Sequence, residues 1–151
     1  MEILGIIPAR GGSKRLPGKN IKLVNGKPLI AWSIEAAKQS KLNRVLVSTD
    51  DPKIARLAKR YGAEVPFLRP ADLAGDKLGI EPVLIHALDW LAKEENYRPE
   101  AVALLMPTSP LRQVKHINEA IEIFKKKKSD SVVSVIEARA NINPHWILKR
   151  N

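Results

Sequence analysis

The chain has 151 residues, 44% of them hydrophobic, and a formal net charge of +10 from 26 Lys and Arg against 16 Asp and Glu. This length suits a single globular domain, and the composition excludes a disordered or low-complexity protein. The absence of cysteine excludes disulfides, thiolate metal sites and cysteine nucleophiles, while the positive charge favours anionic partners such as nucleotides, acidic sugars or nucleic acid.

The first half of the sequence predicts two strands, each followed by a helix. An apolar run over 2–8 predicts the first strand, and apolar residues at helical spacing predict a helix over 26–39. The second strand is predicted over 44–51, where β-branched residues are enriched. Its helix is predicted to start at an N-cap, Asp51, and to end just before Gly62.

The second half continues the alternation. A short strand is predicted over 64–68, "EVPFL", and a helix over 81–94. Residues 101–106, "AVALLM", form a near-continuous apolar run that predicts a strand buried on both faces. A further helix, with apolar residues at 117, 120, 121 and 124, and a last strand over 131–137 complete the pattern. We expect a cationic, solvated end to this last helix, where "KKKK" suits the helix dipole.

Alternating strands and helices predict an α/β fold with a mostly parallel sheet and helices on both faces. Such sheets bind ligands at the carboxyl ends of their strands, in the loops that follow. The candidate loops are 9–20, 48–51 and 107–112. We expect a cytoplasmic protein without a membrane partner, because no apolar run approaches the length of a membrane span and Glu2 stands where a signal peptide would be positive.

The loop over 9–20, "ARGGSKRLPGKN", holds four cations among three glycines directly after the first predicted strand. Clustered like charges repel unless an anion lies between them. The loop does not fit a Walker sequence, because Ser13 and Asn20 stand where that motif needs a glycine and a hydroxyl residue, and it lacks the dinucleotide-binding glycine pattern. We predict that backbone N–H groups and cations of this loop surround a polyphosphate. The alternative is a solvated basic turn without a ligand.

Other polar residues have competing structural interpretations. Arg69 is a candidate ligand contact that could instead pair with Asp72 on a loop. Thr108 and Ser109 could serve only as turn formers between two prolines. A metal role for Asp50 competes with helix capping by the Asp50 and Asp51 pair, and we favour capping. His86, His116 and His145 lack ligand spacing, so we predict no histidine metal site.

Several spaced stretches together resemble the N-acylneuraminate cytidylyltransferase (CMP-sialic acid synthetase) family. They are "IPARGGSKRLPGKNIKLVNGKPLIAWSIEAA", "VSTDD", "VPFLRPADLAGD", "LLMPTSPLR" and "SVVSVIEA…NPHW", in this order over nearly the whole chain. The resemblance implies a Rossmann-like three-layer α/β/α nucleotidyltransferase fold with a nucleotide-binding domain over 1–137 and the start of a dimerisation arm over 138–151.

The resemblance also implies a reaction in which the anomeric hydroxyl of a nine-carbon acidic sugar attacks the α-phosphate of CTP, giving a CMP-sugar and pyrophosphate. It implies Mg²⁺ as cofactor with CTP as substrate, a homodimer, and no nucleic-acid or membrane partner. Lys19 and Arg10 are the implied catalytic residues. The implied binding residues are Ala9, Arg10, Gly11, Gly12, Ser13, Lys14, Lys19, Asn20, Arg69, Pro107, Thr108 and Ser109, with no residue assigned to the metal.

The sequence departs from the family pattern in three places. Met106 precedes "PTSPLR" where the family usually has Gln, and 77–80 replaces residues that are usually small or hydroxylated. The chain ends soon after "NPHWILKR", which resembles the start of the dimerisation arm. We therefore expect a C-terminally truncated form that binds nucleotide without efficient turnover. A basic nucleic-acid-binding module, suggested by the net charge, is the alternative function.

Overall fold

A computed structural model of the protein describes residues 1–75 and 78–135. The chain divides into two compact units, Met1–Asn118 and Glu119–Asn151. The predicted boundary at residue 137 stays a prediction, since the arm over 138–151 lies outside the described residues. No helix in the described part of the chain combines the length and apolarity that a membrane crossing requires.

A three-stranded parallel sheet and a small antiparallel hairpin contain the strands that the structure describes. The strands are β1 (Ile3–Pro8), β2 (Leu23–Val24), β3 (Lys27–Pro28), β4 (Arg44–Ser48) and β5 (Ala101–Leu104). The parallel sheet has the order β4-β1-β5, with Ile6 opposite Leu46 on one side and opposite Leu104 on the other. All three strands therefore end at the same edge of the sheet, and the loops that follow them meet there.

Four helices lie among the described residues, and they confirm the predicted alternation with a three-layer α/β/α arrangement. They are α1 (Leu29–Lys38), α2 (Pro52–Arg60), α3 (Glu81–Glu94) and α4 (Val114–Lys127). The capping prediction for α2 is confirmed, because Asp51 Oδ1 accepts hydrogen bonds from the backbone N–H groups of Lys53 (2.6 Å) and Ile54 (3.4 Å). Two short 3₁₀ turns, Lys19–Ile21 and Ala71–Ala74, follow β1 and Arg69.

One face of the sheet is buried under α3. Leu4 and Ile6 of β1, Leu46 of β4, and Ala87 and Leu91 of α3 form a fully buried cluster. Phe67, Leu84, Leu88, Trp90, Tyr97 and Val102 pack around it. Because successive side chains of a strand alternate between faces, this cluster fixes which residues of β1 point toward α3. The helix α1 contacts β1 and β4.

Three strand predictions need correction. The strand predicted over 64–68 is a single parallel bridge between Leu46 and Glu64, because Pro66 has no N–H to extend the ladder. The prediction that 101–106 is buried on both faces is wrong: Leu104 is 38% exposed, and β5 pairs only with β1 in the described part of the sheet. No strand forms over 131–135, and 136–137 lie outside the described residues.

The buried face of α3 gives a stability prediction. Leu91→Ala removes a side chain that is 0% exposed from the cluster around Leu4, so the free energy of unfolding should fall by about 2–5 kcal/mol. Ile85→Ala on the same helix is the matched control, because Ile85 is 57% exposed and its truncation should cost less than about 1 kcal/mol. Urea unfolding followed by circular dichroism measures both, and equal losses in the two variants would contradict this packing.

Candidate functional site

A cleft of about 260 Å³ opens at the carboxyl edge of the sheet. Its walls come from the loop after β1, from residues within 69–75 and 78–83, and from the loop after β5. The lining residues are Pro8, Arg10, Ser13, Lys19, Asn20, Arg69, Leu73, Gly75, Leu78, Gly79, Ile80, Val83, Met106, Pro107 and Thr108. The cleft therefore joins two of the three loops that the sequence selected.

Seven of the twelve predicted binding residues line this cleft: Arg10, Ser13, Lys19, Asn20, Arg69, Pro107 and Thr108. Ala9, Gly11, Gly12, Lys14 and Ser109 are described by the structure but are not among the lining residues. Ala9 is buried, and its backbone N–H donates to the Ser48 carbonyl at 2.9 Å, which continues the pairing of β1 with β4. The functional roles of all twelve residues remain predictions.

Hydrogen bonds to the end of β4 hold the loop after β1 in place. The backbone N–H of Gly11 donates to Asp50 Oδ1 at 3.0 Å. The buried side chain of Asn20 closes the loop on itself, since its Nδ2 donates to the Arg10 carbonyl at 3.0 Å. These contacts span ten residues of loop and fix its two ends relative to each other.

Gly11 is needed for close packing rather than for a free backbone N–H group. A Cβ atom at this position would lie 2.8 Å from both Cβ and Oδ2 of Asp51, a separation too short for ordinary contact. Because its N–H donates to Asp50, Gly11 does not supply the inward-facing N–H that the sequence suggested. A Cβ at Gly12 would meet open space, so that position stays accessible.

The four cations of the loop divide into two pairs. Arg10 and Lys19 line the cleft, one at each end of the loop. Lys14 and Arg15 are exposed and are not among the lining residues. The cleft thus presents two loop cations together with the hydroxyl of Ser13, which is a suitable set for an anionic group.

Arg69 is 6% exposed, and its guanidinium is the third cationic group that lines the cleft, after those of Arg10 and Lys19. Its Nε donates to Ser48 Oγ at 3.2 Å, its Nη2 to the Ser48 carbonyl, and its Nη1 to the Leu73 carbonyl at 3.4 Å. The alternative of a pair with Asp72 is not what the structure shows. Burial lowers the pKa of Arg69 below its usual value; the nearby Asp50 opposes this shift and Arg10 adds to it.

The loop after β5 forms a turn that is held by hydrogen bonds to the Met106 carbonyl. The backbone N–H of Ser109 donates to the Met106 carbonyl at 3.3 Å, which supports the turn-forming interpretation of this segment. The same carbonyl accepts from both Nη atoms of Arg112, at 3.3 and 3.4 Å. Burial lowers the pKa of Arg112. This turn holds Thr108 and the Met106 side chain at the cleft.

The carboxylates nearest the loop are engaged with the protein itself. Asp51 caps α2, and Asp50 accepts from Gly11. Among the described residues, no group of three or more His, Asp or Glu side chains could hold a metal ion. Mg²⁺ as a cofactor with CTP stays an expectation from the family resemblance.

Sequence reasoning missed the apolar wall of the cleft. This wall contains Leu73, Leu78, Ile80 and Val83, with Gly75 and Gly79 between them, and Pro8 at the end of β1. Apolar residues carry no chemical signature that separates a ligand wall from a core. The departure from the family pattern over 77–80 was the one available signal, because Leu78, Gly79 and Ile80 of that stretch line the cleft.

Comparison with known proteins identifies relatives with named activities. A family model described as Cytidylyltransferase matches residues 4–145. The chain is 46% identical to the CMP-N,N'-diacetyllegionaminic acid synthase of Legionella pneumophila over 97% of this chain and 62% of that protein. It is 43% identical to the N-acylneuraminate cytidylyltransferase of Escherichia coli over 89% of this chain and 31% of that protein. The chain thus spans less than two thirds of these relatives.

Solved structures agree on the fold. A cytidylyltransferase from Leptospira borgpetersenii superposes with a TM-score of 0.65 and 26% identity, covering 85% of this chain and 51% of that one. A CMP:2-keto-3-deoxy-manno-octonic acid synthetase solved with CTP superposes with a TM-score of 0.71 and 22% identity, covering 85% of this chain and 49% of that one. At this identity the similarity shows the fold alone. With the family model covering most of its length, the chain belongs to the cytidylyltransferase family.

Proposed function

We propose that the chain is the nucleotide-binding part of an enzyme that transfers CMP from CTP to a nine-carbon acidic sugar and releases pyrophosphate. Family membership and the names of the relatives support this assignment. The observation that carries it is the convergence of Arg10, Ser13 and Lys19 on a cleft that also has an apolar wall. A nucleoside triphosphate has two matching parts, a polyanion and a planar base whose faces can pack against apolar side chains.

The reaction needs no protein nucleophile. The oxygen of the anomeric hydroxyl attacks the α-phosphorus and its proton is lost to water, while the bond from the α-phosphorus to the α–β bridging oxygen breaks and pyrophosphate leaves with the electron pair. Such transfers depend on positioning and on stabilising phosphate charge. We assign this work to Lys19 and Arg10, whose positive charges neutralise the triphosphate and the leaving pyrophosphate. Ser13 and Asn20 contribute hydrogen-bonding groups to the same wall.

The acceptor is proposed to be a nonulosonic acid. Relatives are named for legionaminic, pseudaminic and N-acylneuraminic acids, and the pseudaminic acid cytidylyltransferase of Campylobacter jejuni is 38% identical to this chain. The carboxylate of these sugars suits a protein with a net charge of +10. Met106 and Thr108, at the end of the cleft formed by the loop after β5, are our candidates for acceptor contacts.

Magnesium is proposed to accompany CTP, bound chiefly through its phosphate oxygens. When present, the ion supplies additional neutralisation of phosphate charge. Neither of the roles assigned to Arg10 and Lys19 depends on a protein-held ion. A cytoplasmic location is proposed with the activity, since CTP is a cytoplasmic metabolite.

The loop cation Lys19 gives the direct test of CTP binding. Lys19→Ala removes a charge-assisted contact, which is worth about 1.5–3 kcal/mol, so the dissociation constant for CTP should rise by about one to two orders of magnitude. Lys38→Ala is the control, because Lys38 is an exposed lysine at the last turn of α1, away from the cleft. Isothermal titration calorimetry measures both, and equal affinities in Lys19→Ala and the unchanged protein would contradict the proposed site.

Salt dependence separates this function from nucleic-acid binding. Nucleic-acid affinity falls steeply with salt because each phosphate contact releases counterions. We expect CTP affinity to fall less between about 50 and 200 mM salt than the 10³–10⁵-fold of a protein with six to ten phosphate contacts, and CTP to bind better than ATP. Binding of a DNA or RNA oligonucleotide that is tighter than CTP binding at 200 mM salt would favour the alternative function.

We also propose a homodimer. Its support is the sequence cluster of the apolar residues Trp146, Ile147 and Leu148, which lie outside the described part of the chain, since clustered apolar residues are typical of interfaces. Trp146→Ala should weaken self-association, because a buried tryptophan contributes strongly to an interface. Light scattering across a concentration series measures the assembly, and a monomer at all concentrations in both proteins would refute the proposal.

A further inference from the structure

A second groove, of about 310 Å³, lies beside α2 and shares no lining residue with the cleft. Its floor is apolar: Pro66 and Phe67 are half-buried, and Leu68 is 52% exposed. Arg56 and Lys59 of α2 line the same groove, and both residues are exposed. The groove therefore combines an apolar contact surface with two positive charges.

The two cations of this groove have no acidic partner within the described part of the chain. The helix α2 contains no Asp or Glu, and the acidic residues that flank it are already engaged. Asp51 caps α2, and Glu64 accepts a hydrogen bond from Arg44 Nε at 3.1 Å. An anionic ligand would therefore supply the negative charge that the described residues do not bring to Arg56 and Lys59.

The floor of the groove also forms one edge of the parallel sheet. Glu64 lies beside β4, where its N–H donates to the Val45 carbonyl and its carbonyl accepts from the Val47 N–H, both at 2.9 Å. Because backbone polar groups alternate sides along an extended segment, those of Val65 point away from β4. Residues 65–68 form no backbone hydrogen bond with any other described residue. This segment thus has the unpaired backbone groups of an edge strand.

We propose that the groove beside α2 binds an extended acidic segment of a partner protein, which pairs with residues 65–68 as an added strand. Peptide addition to a sheet edge takes its affinity from backbone hydrogen bonds and its specificity from alternate side chains. Carboxylates at every second position of such a peptide lie on one face, where they pair with Arg56 and Lys59. Apolar residues between them supply contacts for Leu68. The site is independent of the proposed transfer reaction.

The aromatic contacts of the floor favour a peptide over a nucleic acid. Single-stranded nucleic acids stack their bases on aromatic side chains, and Phe67 is the one aromatic residue that lines this groove among the described residues. Its ring is already packed edge-to-face with His86, at 4.8 Å between centroids, and against Trp90 at 5.3 Å. The most exposed apolar surface of the floor is the aliphatic side chain of Leu68, which suits an apolar peptide residue.

An NMR titration with a defined peptide tests the proposal. The probe is a blocked heptapeptide of sequence SEVEVES, and it should shift the backbone amide signals of Val65, Phe67 and Leu68. Arg56→Gln combined with Lys59→Gln should raise its dissociation constant by about tenfold, because two exposed charge contacts are lost. Arg60→Gln is the matched control, since Arg60 is an exposed cation of α2 outside the groove lining, and it should change binding by less than about twofold.

Altered probes separate the backbone contribution from the charge contribution. A peptide with Gln in place of Glu should bind the unchanged protein about tenfold more weakly, as the double variant does with the original probe. N-methylation of either the valine or the glutamate amides removes donors from one edge of the peptide. The set that faces residues 65–68 should abolish binding, whereas equal binding of both methylated peptides would exclude an added strand.

The remaining outcomes overturn the proposal. They are unchanged amide signals over 65–68 up to about 1 mM peptide, and equal effects of Arg60→Gln and the double variant, which would mean a diffuse charge effect. An oligonucleotide that shifts the same amides at lower concentration than the peptide would identify a nucleic-acid site. Loss of self-association in the double variant would identify an interface between copies of this chain. CTP affinity should be equal in the double variant and the unchanged protein, so failure of the proposed function is seen separately.

Discussion

The carboxyl end of β4 is the constraint on which the rest of the site depends. The Ser48 carbonyl accepts from the backbone of Ala9 and from the side chain of Arg69, so it joins the loop after β1 to the apolar wall. Two residues further, Asp50 holds Gly11, and the adjacent Asp51 caps α2. Three residues within the stretch Ser48–Asp51 thus hold both walls of the cleft and the start of a helix.

This arrangement explains how cations can lie close together without disorder. Arg10, Lys19 and Arg69 line one cleft, and their mutual repulsion opposes this close arrangement. The hydrogen bonds to Asp50, Ser48 and the Arg10 carbonyl hold the backbone in place against that repulsion. The free energy cost of assembling the charges is then met during folding, so an anionic ligand meets a site that is already formed.

The sequence predicted the local features that depend on neighbouring residues. Asp51 and Pro52 marked the start of α2, and the helix predicted over 81–94 has the bounds of α3, because caps and apolar spacing act over a few residues. Prediction from the sequence failed where contacts between distant segments determine whether a strand forms or a side chain is buried. The strand over 64–68 reduces to one bridge, and the exposure of Leu104 depends on the neighbours of β5 in the sheet.

The same distinction holds in the cleft. Its cations could be selected from sequence because charge and glycine are concentrated in one loop, whereas the roles of Gly11 and Arg69 depend on Asp50 and Ser48, which lie far away in the chain. The most direct measurement is a CTP titration followed by backbone amide chemical shifts. The account predicts the largest changes at Gly12 and Ser13, at Leu73 and at Thr108; the largest changes at Arg56 and Lys59, which line a separate groove beside α2, would contradict it.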